Sequence, residues 1–103
     1  MKIVLSEKFQ DKWDGYLDYC VSNYGKALTE KKKNLMYNAL GRLSKFPESG
    51  RKEPLLNGRA KTYRAVLFDT QFKIIYTINE DHILCETLWN MRRNPDKLQK
   101  EFR

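Results

Sequence analysis

Apolar positions along the chain follow two periods, and the change from one to the other divides it. The run Ile3-Val4-Leu5 is short and β-prone and predicts a strand over Lys2–Leu5. Ser6 then offers an N-cap oxygen, and Glu7 places an acid in the first helical turn. Phe9, Trp13, Leu17, Cys20 and Tyr24 recur at spacings of four, four, three and four, the stripe of an amphipathic helix that Tyr16 and Val21 widen. Gly25 suits the positive φ that ends such a helix. A second helix is predicted from Thr29 as N-cap to about Phe46, with Met36, Ala39, Leu40, Leu43 and Phe46 as its apolar face. Pro47 stops it, and Pro47-Glu48-Ser49-Gly50 reads as a turn.

Beyond Pro47 the runs are β-branched and aromatic. Thr62–Phe68, Phe72–Ile78 and Ile83–Trp89 read as three strands, separated by Asp69-Thr70-Gln71 and Asn79-Glu80-Asp81. The order is β-α-α-β-β-β: an α+β fold in which an N-terminal helical hairpin packs on one face of an antiparallel sheet. Asn94-Pro95 ends the last strand, and residues 94–103 form a final helical turn or a loose tail. A chain of 103 residues fits one domain, 1–103, and is too short for two ordinary cores. No apolar run reaches the about 18–20 residues of a membrane span and no signal-peptide pattern opens the chain, so a cytoplasmic protein with no membrane partner is expected.

The charge narrows the chemistry. Twenty Lys and Arg against 13 Asp and Glu leave a net +7, which calls for an acidic partner. Lys31-Lys32-Lys33 fall in the first turn of the predicted second helix, either as a solvated face or as an acidic contact. Cys20 and Cys85 lie within apolar segments without metal-ligand spacing and read as core residues. No His/Cys metal set, glycine-rich phosphate loop or serine elbow is present, so neither metal nor cofactor is expected. The single histidine, His82, sits beside a predicted turn with no nucleophile patterned near it.

Residues 51–64 hold five cations, Arg51, Lys52, Arg59, Lys61 and Arg64, against the single acid Glu53, and Lys73, Arg92 and Arg93 follow. Arg64 and Lys73 stand inside otherwise apolar strands, where a cation costs desolvation unless it meets an edge, an open face or a partner. Each either snorkels or pairs with an acid such as Glu86, or else lines a positive concavity that accepts phosphates or an acidic protein segment. A two-residue turn pairing Asp69 with Phe72 puts the two cations on one face. A three-residue turn pairing Phe68 with Phe72 puts them on opposite faces.

The layout, together with Phe46-Pro47-Glu48-Ser49-Gly50, the Tyr63-Arg64 strand, Phe72-Lys73-Ile74-Ile75-Tyr76 and the ending from Leu88-Trp89 to Arg92-Arg93-Asn94-Pro95, resembles the RelE/ParE superfamily of bacterial type II toxins. The resemblance covers nearly the whole chain. It implies a small α+β toxin neutralised by a cognate antitoxin that wraps its basic surface. Two activities occur on that scaffold: RelE-like members cleave mRNA on the ribosome, and ParE-like members poison DNA gyrase.

Carried onto this sequence, the family's basic pattern falls on Arg64, Lys73 and Arg93, with Lys61 an addition and Arg92 adjacent to it. Lys73 stands where many relatives carry Arg, which keeps the charge and loses the bidentate fork. RelE-like nucleases tend to place a Tyr or comparable group in the tail, whereas residues 94–103 contain neither Tyr nor His and Phe102 has no hydroxyl. The resemblance therefore points to gyrase poisoning. A ribosome-dependent endoribonuclease is the alternative, with Tyr63, Tyr76 and His82 as candidate proton carriers. A non-toxic nucleic-acid-binding module or a decayed toxin is the third reading.

Overall fold

A computed structural model describes residues 1–102. Five strands, β1 (Lys2–Leu5), β2 (Arg51–Lys52), β3 (Arg64–Leu67), β4 (Phe72–Ile78) and β5 (His82–Asn90), accompany two helices, α1 (Glu7–Lys45) and α2 (Pro95–Glu101). Short 3-10 turns occupy Pro47–Ser49 and Pro54–Leu56. The Ser6 hydroxyl oxygen caps α1 by accepting the Phe9 N–H at 2.9 Å, and it donates in turn to the Glu86 carbonyl at 2.7 Å.

The expected helical hairpin is α1, broken into two arms at Gly25, whose φ of 83° is a conformation that disfavours any side chain. The second arm begins before Thr29. That residue is buried and its hydroxyl donates to the Gly25 carbonyl at 2.8 Å, so it sits inside the helix rather than capping it. Lys32 and Lys33 are consequently a turn deeper than the sequence suggests, where they meet Asp69 at 3.0 Å and Glu30 at 3.1 Å. Phe46, read as part of the apolar face, is instead the exposed residue that terminates the helix.

The sheet order is β1-β5-β4-β3-β2. All pairs are antiparallel except β1 with β5, which run parallel, so the sheet is mixed rather than wholly antiparallel. The long helical crossover after β1 carries the chain far enough to permit the parallel return, and strand composition does not report it. The two-residue strand β2 extends the sheet beyond β3.

Leu67 pairs with Lys73 and the Phe68 N–H donates to the Phe72 carbonyl, which is the three-residue connection between β3 and β4. Directly opposed residues share a face, so this register sends Arg64, Val66, Ile74 and Tyr76 to one side and Ala65, Leu67, Lys73 and Ile75 to the other. The first side packs on the hairpin through Phe9, Met36, Ala39 and Leu43, with Cys85 and Leu88 joining from β5. Both cysteines are free and buried, and burial pushes the Cys85 thiol up to about 12. The second side is also covered, by Leu56 and by Leu98 of α2, which bury Ile75 and Trp89. The C-terminal segment is thus a docked helix. The Arg59 guanidinium fastens its end, donating to the Phe102 carbonyl at 2.7 Å and the Gln99 carbonyl at 3.1 Å.

Two polar arrangements hold the β2–β3 corner. On the hairpin side the buried Tyr76 hydroxyl donates to the Pro47 carbonyl at 2.7 Å and accepts the Gly50 N–H at 3.0 Å, while Arg64 Nη1 donates to the Gly50 carbonyl at 2.9 Å. A Cβ at position 50 would lie 2.5 Å from the Tyr76 hydroxyl oxygen and 2.7 Å from the Ala65 carbonyl oxygen, so glycine is required for space. On the opposite side Glu53, 3% exposed, forms an ion pair with Lys73, 17% exposed, and also accepts the Leu55 N–H.

Gly50→Ala is expected to lose about 2–3 kcal/mol in urea unfolding, the cost of forcing a methyl group into a filled site. Lys73→Met should cost about 3 kcal/mol, because it strands the Glu53 carboxylate, and adding Glu53→Gln should restore most of that loss. Restoration reads the pair as structural, and simple additivity of the two losses would exclude it.

Candidate cationic interface

The β2–β3 ladder places Lys52 directly opposite Arg64, and the loop between the strands brings Lys61 beside them. Together they line a cleft of about 390 Å³, walled further by Thr77, Asn79 and Glu48. Three cations therefore share one concavity with one carboxylate. Lys52 and Lys61 are exposed and have no ion-pair partner among the described residues. Arg64 spends Nη1 on the Gly50 carbonyl, which fixes the guanidinium and leaves other N–H donors of its fork for an incoming group. A fixed guanidinium flanked by two mobile ammonium groups suits phosphate oxygens or the carboxylates of an acidic chain.

The other expected site residues do not join this cleft. Lys73 lies on the opposite face of the sheet, bound to Glu53. Its partner is not Glu86, whose carboxylate accepts the Thr77 hydroxyl at 3.2 Å. Arg93 is on the Lys73 side, its guanidinium 4.9 Å from the centre of the buried Trp89 ring, with the Lys12 ammonium 5.5 Å from the same ring. Arg92 faces elsewhere, into a cleft beneath the first arm of α1. Of the five cations Lys61, Arg64, Lys73, Arg92 and Arg93, the structure unites only Lys61 and Arg64, and it adds Lys52. The +2 offset between Lys52 and the turn at Gly50 was visible in the sequence, but β2 has too few residues to show a pattern.

The candidate proton carriers are also dispersed. The Tyr63 ring packs against Phe102, 4.8 Å between centres, on the Lys73 side. The Tyr76 hydroxyl is fully buried with both its hydrogen bonds made, and burial raises its pKa. His82 stands opposite Lys2, and its carbonyl accepts the N–H of Asn79 in the cleft wall, while its Nδ1 lies 2.7 Å from Asp81, a contact that holds the Asp81 carboxyl below its ordinary range. Glu48 is the one carboxyl group lining the Arg64 cleft. Among the described residues no group of three His, Cys, Asp or Glu side chains could hold a metal ion, and no helix is long and apolar enough to cross a membrane.

No protein-family model matches the chain, and no curated protein matches it by sequence. A search of solved structures finds a chain of the "Chromosomal ParDE TA system from P. aeruginosa", with a TM-score of 0.70 and 14% sequence identity. The match covers 87% of the present chain and 95% of the other. Identity that low speaks to the fold alone. In fold, this chain is an α+β domain similar to that ParDE-system chain.

Proposed function

We propose that the chain is the toxin of a type II toxin–antitoxin module, neutralised by a cognate antitoxin and acting in the cytoplasm on DNA gyrase. The observation that carries the reading is the ParDE-like fold bearing an unpartnered cationic cleft at Lys52, Lys61 and Arg64. An acidic antitoxin segment that covers the cleft would neutralise part of the net +7 and block access to the target in one step. Lys73 belongs to the scaffold in this reading, because its charge is already spent on Glu53.

Gyrase poisoning is favoured over mRNA cleavage by the surroundings of Arg64. In-line attack by a 2′-hydroxyl needs a group to take its proton and another to protonate the leaving oxygen. Tyr63, Tyr76 and His82 are each directed away from the cleft or closed within other bonds, and Glu48 alone faces the cations. A poison needs no proton transfer of its own. It needs a surface that holds a target in one state.

Two measurements test this. Expression without an antitoxin should arrest growth, and purified protein should cause cleaved gyrase–DNA complexes to accumulate. Lys52→Glu combined with Lys61→Glu should lower the accumulation at least tenfold while leaving urea unfolding within about 0.5 kcal/mol, since both side chains are exposed. Codon-phased mRNA cuts with supercoiling untouched would reassign the target to the translating ribosome. Unimpaired growth would remove the toxin reading altogether.

A further inference from the structure

Beneath the first arm of α1 lies a second cleft, on the hairpin face of the sheet and sharing no residue with the Arg64 cleft. It has a volume of about 550 Å³, within the about 300–1,000 Å³ of small-molecule sites. Its walls are chiefly tyrosines, amides and cations, with Cys20, Leu28 and Phe72 as the apolar part, and no carboxylate lines it. Tyr19 and Tyr24 are 52% and 59% exposed, large aromatic areas to leave in water on a helix whose stripe otherwise faces the core. Their rings stand 5.9 Å apart at 73°, so one ring face meets one ring edge in an open aromatic corner. Such a corner stacks a planar heterocycle without closing over it.

Two polar groups near the corner, Asn90 and Arg92, have donors to spare. The Asn90 Oδ1 accepts the Arg92 N–H at 2.9 Å, which orients the amide and leaves its N–H donors without a partner among the described residues. The Arg92 guanidinium is exposed and likewise has no partner there. Lys32 adds an ammonium group at the cleft, already held by Asp69 Oδ2 at 3.0 Å, while Asp69 Oδ1 accepts the Gln71 and Phe72 N–H groups at 2.8 Å. Burial, with the neighbouring Cys20 thiol, raises the pKa of the Tyr16 hydroxyl at the cleft wall. Stacking surface, oriented amide donors and an uncompensated guanidinium are the complement of a planar base carrying a phosphate.

We propose that this cleft binds a single nucleotide, its base stacked on Tyr24 and Tyr19 and its phosphate held by the Arg92 guanidinium. The ligand is either a free nucleoside monophosphate or one nucleotide unit of an unpaired strand. The proposal is independent of the gyrase reading and holds whether or not the chain arrests growth.

Calorimetric titration of the whole protein with AMP and with the single strand (dA)6 tests it. Tyr24→Leu should weaken binding about tenfold, within the range of one lost base stack. Arg92→Gln should weaken it similarly and flatten the salt dependence by about 0.7 in log–log slope for the strand. Tyr37→Leu, an exposed tyrosine of the second arm outside the cleft, should change nothing. Tight AMP binding assigns a free nucleotide, and (dA)6 binding with weak AMP binding assigns a strand unit; either supports the site. Absence of binding by both probes overturns it, as does binding that Tyr24→Leu and Arg92→Gln leave intact. Binding of hexaglutamate alone, lost in the same two variants, would overturn it in favour of an acidic protein partner.

Discussion

The Tyr76 hydroxyl is the point at which the helical layer, the sheet and the basic surface are tied together. A phenol buried in an apolar core must find hydrogen-bond partners, and Tyr76 takes both from one turn, giving to Pro47 and receiving from Gly50. That turn is where the chain leaves the second arm of α1 and enters β2, so its position decides where β2 can pair. Arg64 closes the same turn from the neighbouring strand by donating to the Gly50 carbonyl. A side chain at position 50 is incompatible with this arrangement, because the Tyr76 ring and the Ala65 carbonyl already fill the space. The consequence for function is direct. Lys52 stands opposite Arg64 only while the corner is held, and without that pairing the cationic cleft has no floor.

Register then divides the charges into two kinds. The three-residue β3–β4 connection puts Arg64 with the hairpin face and Lys73 with the α2 face. On the α2 face a buried carboxylate, Glu53, takes up Lys73, and Trp89 spreads beneath Arg93 and Lys12. On the Arg64 face three cations meet a single exposed acid, Glu48. Charge committed to the scaffold and charge available to a partner are thus separated by the thickness of one sheet, and the net +7 is not spread evenly as solubilising charge.

Periodicity revealed the helical arms and the three long strands because burial selects apolar side chains at fixed intervals, and Phe9, Met36, Leu43, Ile74 and Leu88 all lie in the core where that pattern places them. The strand β1 was equally legible, yet its parallel pairing with β5 was not, since direction depends on the crossover and leaves no trace in Ile3-Val4-Leu5. The strand β2 has two exposed cations and no pattern at all. The site was less legible than the fold for the same physical reason. Arg92 and Arg93 are adjacent in sequence, yet Arg92 lines the cleft beneath α1 and Arg93 lies over the Trp89 ring, and Lys73 finds its counterion twenty positions away in a segment with no strand signal. The missing tail Tyr or His was readable directly. The hydrogen bonds that occupy Tyr76 and His82 were not legible in the sequence.

The shared turn makes a specific energetic demand on Tyr76 and Arg64, which touch it from different strands. A double-mutant cycle of Tyr76→Phe and Arg64→Gln, read by urea unfolding with retained m-values, measures it directly. Each change alone should cost about 1–2 kcal/mol, and together they should cost less than their sum by about 0.5 kcal/mol or more, because the first already frees the Gly50 segment. Losses that add to within about 0.3 kcal/mol would contradict the account and leave the corner, and the cleft built on it, without a common support.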